Sequence, residues 1–201
     1  MKLFFFDVET TGTLYWKHGI HQLSGKIVID GEEKERFDFK VRPNPKAVIE
    51  QQALDVSGVT KEQIMAYTPM EEVFKELIGM MSKYVDKWTS KKTGRFHLTG
   101  FNSTQFDNPF LKAWFAQNGE SYFYSWFWYD SLDVMTMAAL KFAPNRHSLN
   151  GFKLMNVAQY LGIQIEEDKL HDAMYDIDIT EKCFNILYKE LIGDDNHRTI
   201  Q

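Results

Sequence analysis

Residues 3–12 read LFFFDVETTG, an apolar run that ends in two carboxylates. The apolar part, residues 2–8, predicts a central β-strand covered on both faces. Because side chains alternate along a strand, Asp7 and Glu9 point to the same side, near the C-terminal end. In open sheets with helical crossovers, ligands bind at that end. Two interpretations stay open at this point: both carboxylates are solvated, with Asp7 capping a turn, or they bind a group that balances their charge.

Composition predicts the broad class of the protein. The 201 residues are 44% hydrophobic and 15% aromatic, which indicates one well-packed domain spanning residues 1–201. No stretch approaches the roughly 18 apolar residues of a membrane span, and the chain starts with a strand pattern instead of a signal peptide. We therefore expect a cytoplasmic protein with no membrane partner. The single cysteine, Cys183, excludes an internal disulfide and a multi-thiolate metal site.

The net charge of −5 argues against a broad electrostatic grip on nucleic acid, because proteins that hold many phosphates are normally basic. Acidity alone does not exclude such a substrate. Carboxylates that converge on divalent cations would reverse the local field at the site.

The strand patterns predict a mixed sheet. KIVID and RFDFKV flank the polar turn GEEKE, which indicates a hairpin or meander over residues 19–42. RFHLTGF (95–101) and YFYSWFWY (122–129) read as two further strands, the second with core-facing aromatic rings. The expected fold is α/β, with a five-stranded mixed sheet made of a three-strand antiparallel meander plus parallel strands, flanked by helices.

Capping signals and helical spacing predict the helices. One starts near Thr68, where Thr68 can cap, Pro69 suits the first position and Glu71 completes a capping box, and its apolar spacing continues to Trp88. Another starts at Asp107 or Asn108 and stops at Gly119. The rest are expected around residues 131–142, 148–161 and 173–191.

Two further acids stand at informative positions. Asp107 follows a predicted strand at a helix start, where an N-cap is the simplest role, although one oxygen could cap while the other binds a metal. At about 100° per residue, Asp176 lies at the inward edge of the last helix and Asp178 points toward water. An inward carboxylate is costly unless it is paired or metal-bound. His171 falls in the preceding turn, free to swing toward the same site.

Three segments together resemble a known family. FDVETTG, GFNSTQFDNPFL and HDAMYDIDIT, in this order and spread over nearly the whole chain, are similar to the three motifs of the DnaQ-like, DEDDh-type 3′-to-5′ exonucleases. The spacing of His171 and Asp176 matches the histidine subclass. The resemblance implies a ribonuclease H-like fold, in agreement with the order of strands and helices above.

The resemblance also implies a mechanism and a ligand set. Asp7, Glu9, Asp107 and Asp176 match the metal-binding acids, His171 matches the general base, and Glu9 would help to position the attacking water. Two divalent cations, Mg²⁺ or Mn²⁺, would be bound, because oxygen-only ligands suit these ions. The expected activity is 3′-to-5′ hydrolysis of single-stranded nucleic acid to nucleoside 5′-monophosphates, with DNA favoured.

The motif neighbourhoods supply the candidate substrate-binding residues, which are Thr10, Thr11, Gly12, Thr13, Leu14, Phe101, Asn102 and Phe106. The sequence departs from the family where an apolar wedge usually follows the glycine, because Gly12 is followed by Thr13 and then Leu14. Asp130, at the end of the aromatic segment, is a candidate for a residue that contacts the metal-binding acids without binding the metal itself. An exoribonuclease or oligoribonuclease, and a non-catalytic nucleic-acid-binding module associated with a DNA polymerase, are the alternatives.

Overall fold

The computed structural model describes residues 1–166 and 172–193. Its strands form a six-stranded sheet in the order β4-β3-β2-β1-β5-β6. The strands are β1 (Lys2–Thr10), β2 (Ile20–Ile29), β3 (Glu32–Arg42), β4 (Thr68–Pro69), β5 (His97–Gly100) and β6 (Leu132–Asp133). The first three are antiparallel neighbours, whereas β5 pairs in parallel with both β1 and β6. The predicted α/β class and mixed sheet are confirmed.

Helices cover both faces of this sheet. They are α1 (Gln51–Ser57), α2 (Lys61–Met65), α3 (Met70–Met81), α4 (Ser90–Thr93), α5 (Asp107–Gln117), α6 (Phe123–Trp126), α7 (Val134–Phe142), α8 (Leu154–Tyr160) and α9 (Ala173–Ile192), with a 3₁₀ turn over Ala143–Ser148. The bounds of α9 agree with the predicted helix over 173–191. No helix within the described ranges is both long enough and apolar enough to cross a membrane.

The strand count of five was wrong, and the aromatic segment is the reason. Residues 122–129 do not form a strand: Phe123–Trp126 is a short helix, and Phe127 makes only an isolated bridge to Phe96. Phe123, Trp126 and Phe127 are all buried, and their spacing of three and four residues places them on one helical face. Two very short strands, β4 and β6, bring the total to six.

The start of α3 also differs from its prediction. Thr68 and Pro69 pair in parallel with Val41 and Arg42 as strand β4, so the helix begins at Met70 and has no side-chain cap. Tertiary pairing therefore replaces the capping box expected at Thr68 and Glu71. The helix ends at Met81 instead of reaching Trp88, which is 75% exposed.

Strand β1 divides the core into two parts. Phe4, Phe6 and Val8 point into a cluster formed with α3, α5 and α6. Leu3 and Phe5 point into a second cluster, formed with α7, α8 and α9. Because side chains alternate, Asp7 shares the side of Leu3 and Phe5, so it faces the helix that carries Asp176. The apolar alternation of β1 thus orients the first catalytic candidate.

Candidate active site

Asp7 and Glu9 lie side by side on β1 at the end of the central sheet. Both are half-buried, and β1 is paired with β2 over this whole region, with Asp7 opposite Ser24 and Glu9 opposite Gln22. The hydroxyl of Ser57, the last residue of α1, donates a hydrogen bond of 2.7 Å to Oε2 of Glu9. This contact holds the Glu9 carboxylate in one position, and the sequence offered no signal for it.

Asp107 reaches β1 from the first turn of α5. It is 5% exposed, and its Oδ1 accepts a hydrogen bond of 3.1 Å from the backbone N–H of Val8, between Asp7 and Glu9. The pairing of β1 with β5 covers only residues 3–5 of β1, so this N–H lies beyond the ladder. The N-cap position of α5 belongs to Phe106, without a side-chain cap. The interpretation of Asp107 as an N-cap was therefore wrong.

Asp176 approaches the same point from the first turn of α9. Together with Asp7 and Phe101 it lines a small cavity of about 160 Å³. It also lines a larger space of about 430 Å³, which we call the acidic cleft and define by Asp7, Glu9, Ser57, Asp172 and Asp176. The inward orientation predicted from the helical wheel agrees with both placements.

Asp178 does not point into solvent as predicted. It forms a 2.6 Å ion pair with Lys26 and a 2.9 Å ion pair with Arg36, both on the neighbouring strands β2 and β3. Lys26 is only 1% exposed and also pairs with Glu181, one turn further along α9. A buried lysine needs such partners, so these ion pairs fix α9 against the sheet and with it the position of Asp176.

Electrostatics show that the carboxylates are close enough to interact. Burial raises the pKa of Asp7 well above its ordinary value, and the charges of Asp107, Glu9 and Asp176 raise it further. Burial also raises the pKa of Asp107 to about 7, although backbone hydrogen bonds, including that from Val8, oppose the shift. Carboxyl groups are therefore concentrated here, which favours the binding of cations.

The donor set fits a hard divalent cation. All four acids supply oxygen ligands, as Mg²⁺ and Mn²⁺ prefer. Among the described residues, no group of three or more His, Cys, Asp or Glu side chains is placed so that it could hold a metal ion as it stands. Four carboxylates that repel one another do not close into a coordination shell by themselves. The arrangement is thus a set of converging carboxyl groups, and the charges of the other three all act on Asp7.

The loop after β1 is held by its own side chains. The Thr10 hydroxyl donates to the Gly12 carbonyl at 2.8 Å, and the Thr11 hydroxyl donates to the Val48 carbonyl at 2.7 Å. A Cβ atom at Gly12 would lie 2.6 Å from the ring of His18, so only glycine fits there. Thr13 is exposed and Leu14 is half-buried. Thr10, Thr11 and Gly12 thus determine the conformation of the loop. The side chains of Thr13 and Leu14 make no such contact among the described residues, so they could contact a substrate.

His18, for which the sequence suggested no role, clamps this loop. Its Nδ1 accepts a 2.9 Å hydrogen bond from the Leu14 backbone N–H, and its Nε2 lies 3.0 Å from Oε1 of Glu50. The ring is 2% exposed, packed against Gly12. His18 therefore fixes the shape of the segment that carries Thr13 and Leu14.

The second motif places its candidates around Asp107. Phe101 is half-buried and lines the small cavity with Asp7 and Asp176. Asn102 has a φ of 61°, and its N–H donates to Asp133. Phe106 packs against Phe110 with ring centroids 5.1 Å apart. Of these three candidates, Phe101 is the one that faces the acids.

Asp133, not Asp130, supports this loop. Its carboxylate accepts hydrogen bonds from the backbone N–H groups of Asn102 and Thr104 at 3.1 and 2.9 Å. It also caps α7 through the N–H groups of Met135 and Thr136. Asp130 is exposed. An aspartate directly before a helical run, as in LDVMT, is the signal that could have identified Asp133 as a cap.

His171, the proposed general base, lies outside the described residues. Asp172 begins the described segment, and its side chain caps α9 by accepting from the N–H of Tyr175.

Comparison with known proteins identifies the family of the chain. Residues 4–184 match the family model of the exonucleases (RNase_T). Divalent-metal dependence is general in that family. No curated protein sequence matches the chain.

Solved structures of Escherichia coli exonuclease I share the ribonuclease H-like fold. The complex with a dT13 oligonucleotide superposes with a TM-score of 0.71 at 20% identity, over 94% of this chain and 41% of the other. The zinc-bound complex with single-stranded DNA gives a TM-score of 0.72 at 20% identity, over 94% and 40%. This chain therefore spans about two fifths of the length of those proteins. With the family match extending over most of its residues, the chain belongs to the exonuclease family.

Proposed function

We propose that the chain is a metal-dependent 3′-to-5′ exonuclease. It removes nucleoside 5′-monophosphates from the ends of single-stranded nucleic acid, with DNA favoured over RNA. The observation that carries the proposal is the meeting of carboxylates from β1, α5 and α9, where burial and then the charges of Asp107, Glu9 and Asp176 raise the pKa of Asp7. We extend the proposal to one exonuclease domain over residues 1–201, in the cytoplasm.

Asp7, Glu9, Asp107 and Asp176 would hold two divalent cations, Mg²⁺ or Mn²⁺. When bound, such ions neutralise charge on the scissile phosphate and make water a stronger nucleophile at neutral pH. The Val8 N–H orients Asp107 for this role.

The chain's own groups would direct the hydrolysis. Glu9, held by Ser57, orients the attacking water, and His171 accepts its proton, as the resemblance implies. An imidazole is mostly neutral near pH 7, as a base must be. Thr13, Leu14 and Phe101 would contact the terminal nucleotide. The remaining candidates shape the pocket around it: Thr10, Thr11, Gly12, Asn102 and Phe106.

Cleavage of matched DNA and RNA strands tests this proposal. A 5′-labelled strand of each kind is incubated in parallel reactions, one with magnesium and one with magnesium plus excess chelator, and the products are separated by length. We expect a ladder of DNA products that disappears with the chelator. Asp176→Asn should abolish it, whereas Glu190→Gln, on the exposed end of the same helix, should not. A ladder from RNA alone would favour an exoribonuclease, and no metal-dependent cleavage would favour a non-catalytic binding module.

A further inference from the structure

A second cavity, of about 570 Å³, lies beside α5 and is distinct from the acidic cleft. We call it the aromatic cavity and define it by Tyr15, Asn108, Lys112, Tyr124 and Tyr129. One of its lining residues, Asn108, follows Asp107 directly in α5. Lys112 lies five residues after Asp107, or about 7 Å along the helix axis. Tyr15 follows Leu14 directly in the loop after β1, so the cavity is lined by the same two segments, this loop and α5, that carry residues of the candidate site.

Three tyrosine rings contribute to the lining of this cavity, and two of them are exposed. Tyr15 is 42% exposed and Tyr129 is 80% exposed. Tyr124 and Tyr129 lie with ring centroids 5.1 Å apart at an angle of 44°. Large rings exposed together beside a concavity are typical of a binding surface. Aromatic faces bind unpaired nucleic-acid bases by stacking, largely without regard to sequence.

Charge in the aromatic cavity suits a phosphate. Lys112 is the one charged residue among the described residues that line it. Its Nζ donates to the Tyr124 hydroxyl at 3.2 Å and lies 4.6 Å from the centroid of that ring. Across residues 1–166 and 172–193, Lys112 forms no ion pair within 4 Å. Such a cation is notable in a chain of net charge −5. The ammonium group of Lys112 would suit the phosphate of a nucleotide, and the tyrosine rings beside it would suit the base.

We propose that the aromatic cavity binds the nucleotides upstream of the scissile linkage in a single-stranded nucleic acid. Bases stack on Tyr129 and Tyr15, and Lys112 contacts the intervening phosphate. This inference rests on the proposed function, since it places the strand's end at Asp107. It adds a binding site that the motif residues do not supply.

Binding measured without cleavage tests this site. In an Asp7→Asn background with magnesium, fluorescence anisotropy gives the Kd of a 5′-labelled oligothymidylate of about eight nucleotides. Tyr129→Ala should raise the Kd about tenfold, and Tyr129→Phe, which keeps the ring, should restore it. Lys112→Met should weaken binding and reduce its salt dependence. Tyr122→Ala is the matched control, because Tyr122 is 58% exposed on the same segment but packs against Trp88.

The outcomes separate this inference from the proposed function. Equal Kd values for Tyr129→Ala and Tyr122→Ala, or no binding of the oligonucleotide at all, would overturn the upstream site. Unfolding curves identify any variant that has lost its fold. If Tyr129→Ala is such a variant, the Kd of Lys112→Met decides instead: a Kd equal to that of the background protein would overturn the site. If the wild-type chain cleaves nothing but the Tyr129 effect on binding remains, the site stands and the exonuclease proposal fails.

Discussion

Oδ1 of Asp107 lies 3.1 Å from the backbone nitrogen of Val8, the residue between Asp7 and Glu9. A side chain 99 positions further along the chain thus completes the hydrogen bonding of β1 at the point where β5 no longer pairs with it. The same bond places the third carboxylate of the set beside the first two. This contact therefore links the packing of α5 against β1 to the position of one carboxylate of the candidate site.

Asp107→Asn should stabilise the protein in the presence of a chelator. The folded-state pKa of Asp107 is raised to about 7, so its ionised form costs stability above that pH and not below about pH 4, where it is protonated in both states. Asparagine keeps the acceptor for Val8 without the charge. Urea unfolding at pH 8 should show a gain of about 1–3 kcal/mol, which shrinks at pH 5. A loss of stability at pH 8 would contradict the electrostatic account.

Ser57→Ala should slow catalysis without unfolding the chain. The Ser57 hydroxyl holds Glu9 at 2.7 Å, and a hydrogen bond to a charged group is worth about 1.5–3 kcal/mol. We expect kcat on labelled DNA to fall about tenfold or more with little change in KM. Ser57→Thr, which keeps a hydroxyl, should recover most of the rate. Equal rates for Ser57→Ala and the wild-type chain would remove this contact from the mechanism.

Asp133→Ala should cost both stability and activity. The carboxylate accepts from the N–H groups of Asn102 and Thr104 and caps α7, so its loss leaves several donors without acceptors. Denaturant unfolding should show a loss of about 2–3 kcal/mol. The matched control is Asp130→Ala, three residues earlier and exposed, with an expected change below about 0.5 kcal/mol. Similar losses in both variants would mean that Asp133 does not organise the loop.

His21 should make the fold sensitive to acid. The ring is 1% exposed, and burial, followed by the charge of Lys40, lowers its pKa to about 4. The unfolded chain therefore binds a proton more readily, and the stability that His21 contributes is complete above about pH 6.5 and is lost as the pH falls toward 4. Relative to His21→Leu, the wild-type chain should lose about 3 kcal/mol between pH 7 and pH 4. A constant difference between the two proteins over this range would contradict a buried neutral ring.

Elements with strong local patterns could be predicted from the sequence. The apolar run of β1 and the apolar stripe along α9 could be recognised in the sequence. The spacing of their apolar residues is that of a buried strand and of a helix with one buried face. The aromatic segment failed, since Phe123, Trp126 and Phe127 are compatible with either a strand or a helical turn, and packing against Phe96 decides. The ends of such elements depend on partners far along the chain.

The positions of three acids could be predicted for the same reason, whereas the contacts that support them could not. The shared side of Asp7 and Glu9 and the inward side of Asp176 follow from the geometry of one strand and one helix, and the resemblance to the exonuclease motifs implies their role. Ser57 and Lys26 act through contacts between distant segments, and a serine or a lysine carries no local sign of such a contact. The sequence marks Asp133 as a possible helix cap but not as the acceptor for the N–H of Thr104. For Asp107, the position at a helix start could be predicted from neighbouring residues. Its hydrogen bond with Val8, 99 positions earlier, could not.

The most direct test is a crystal soaked with manganese and a nucleoside 5′-monophosphate, examined by anomalous scattering. The account predicts anomalous peaks within about 2.5 Å of carboxylate oxygens of Asp7, with Asp107 and Asp176 completing the ligands. Peaks absent from this pocket, or an Asp107 or Asp176 carboxylate more than about 10 Å from that of Asp7, would contradict it.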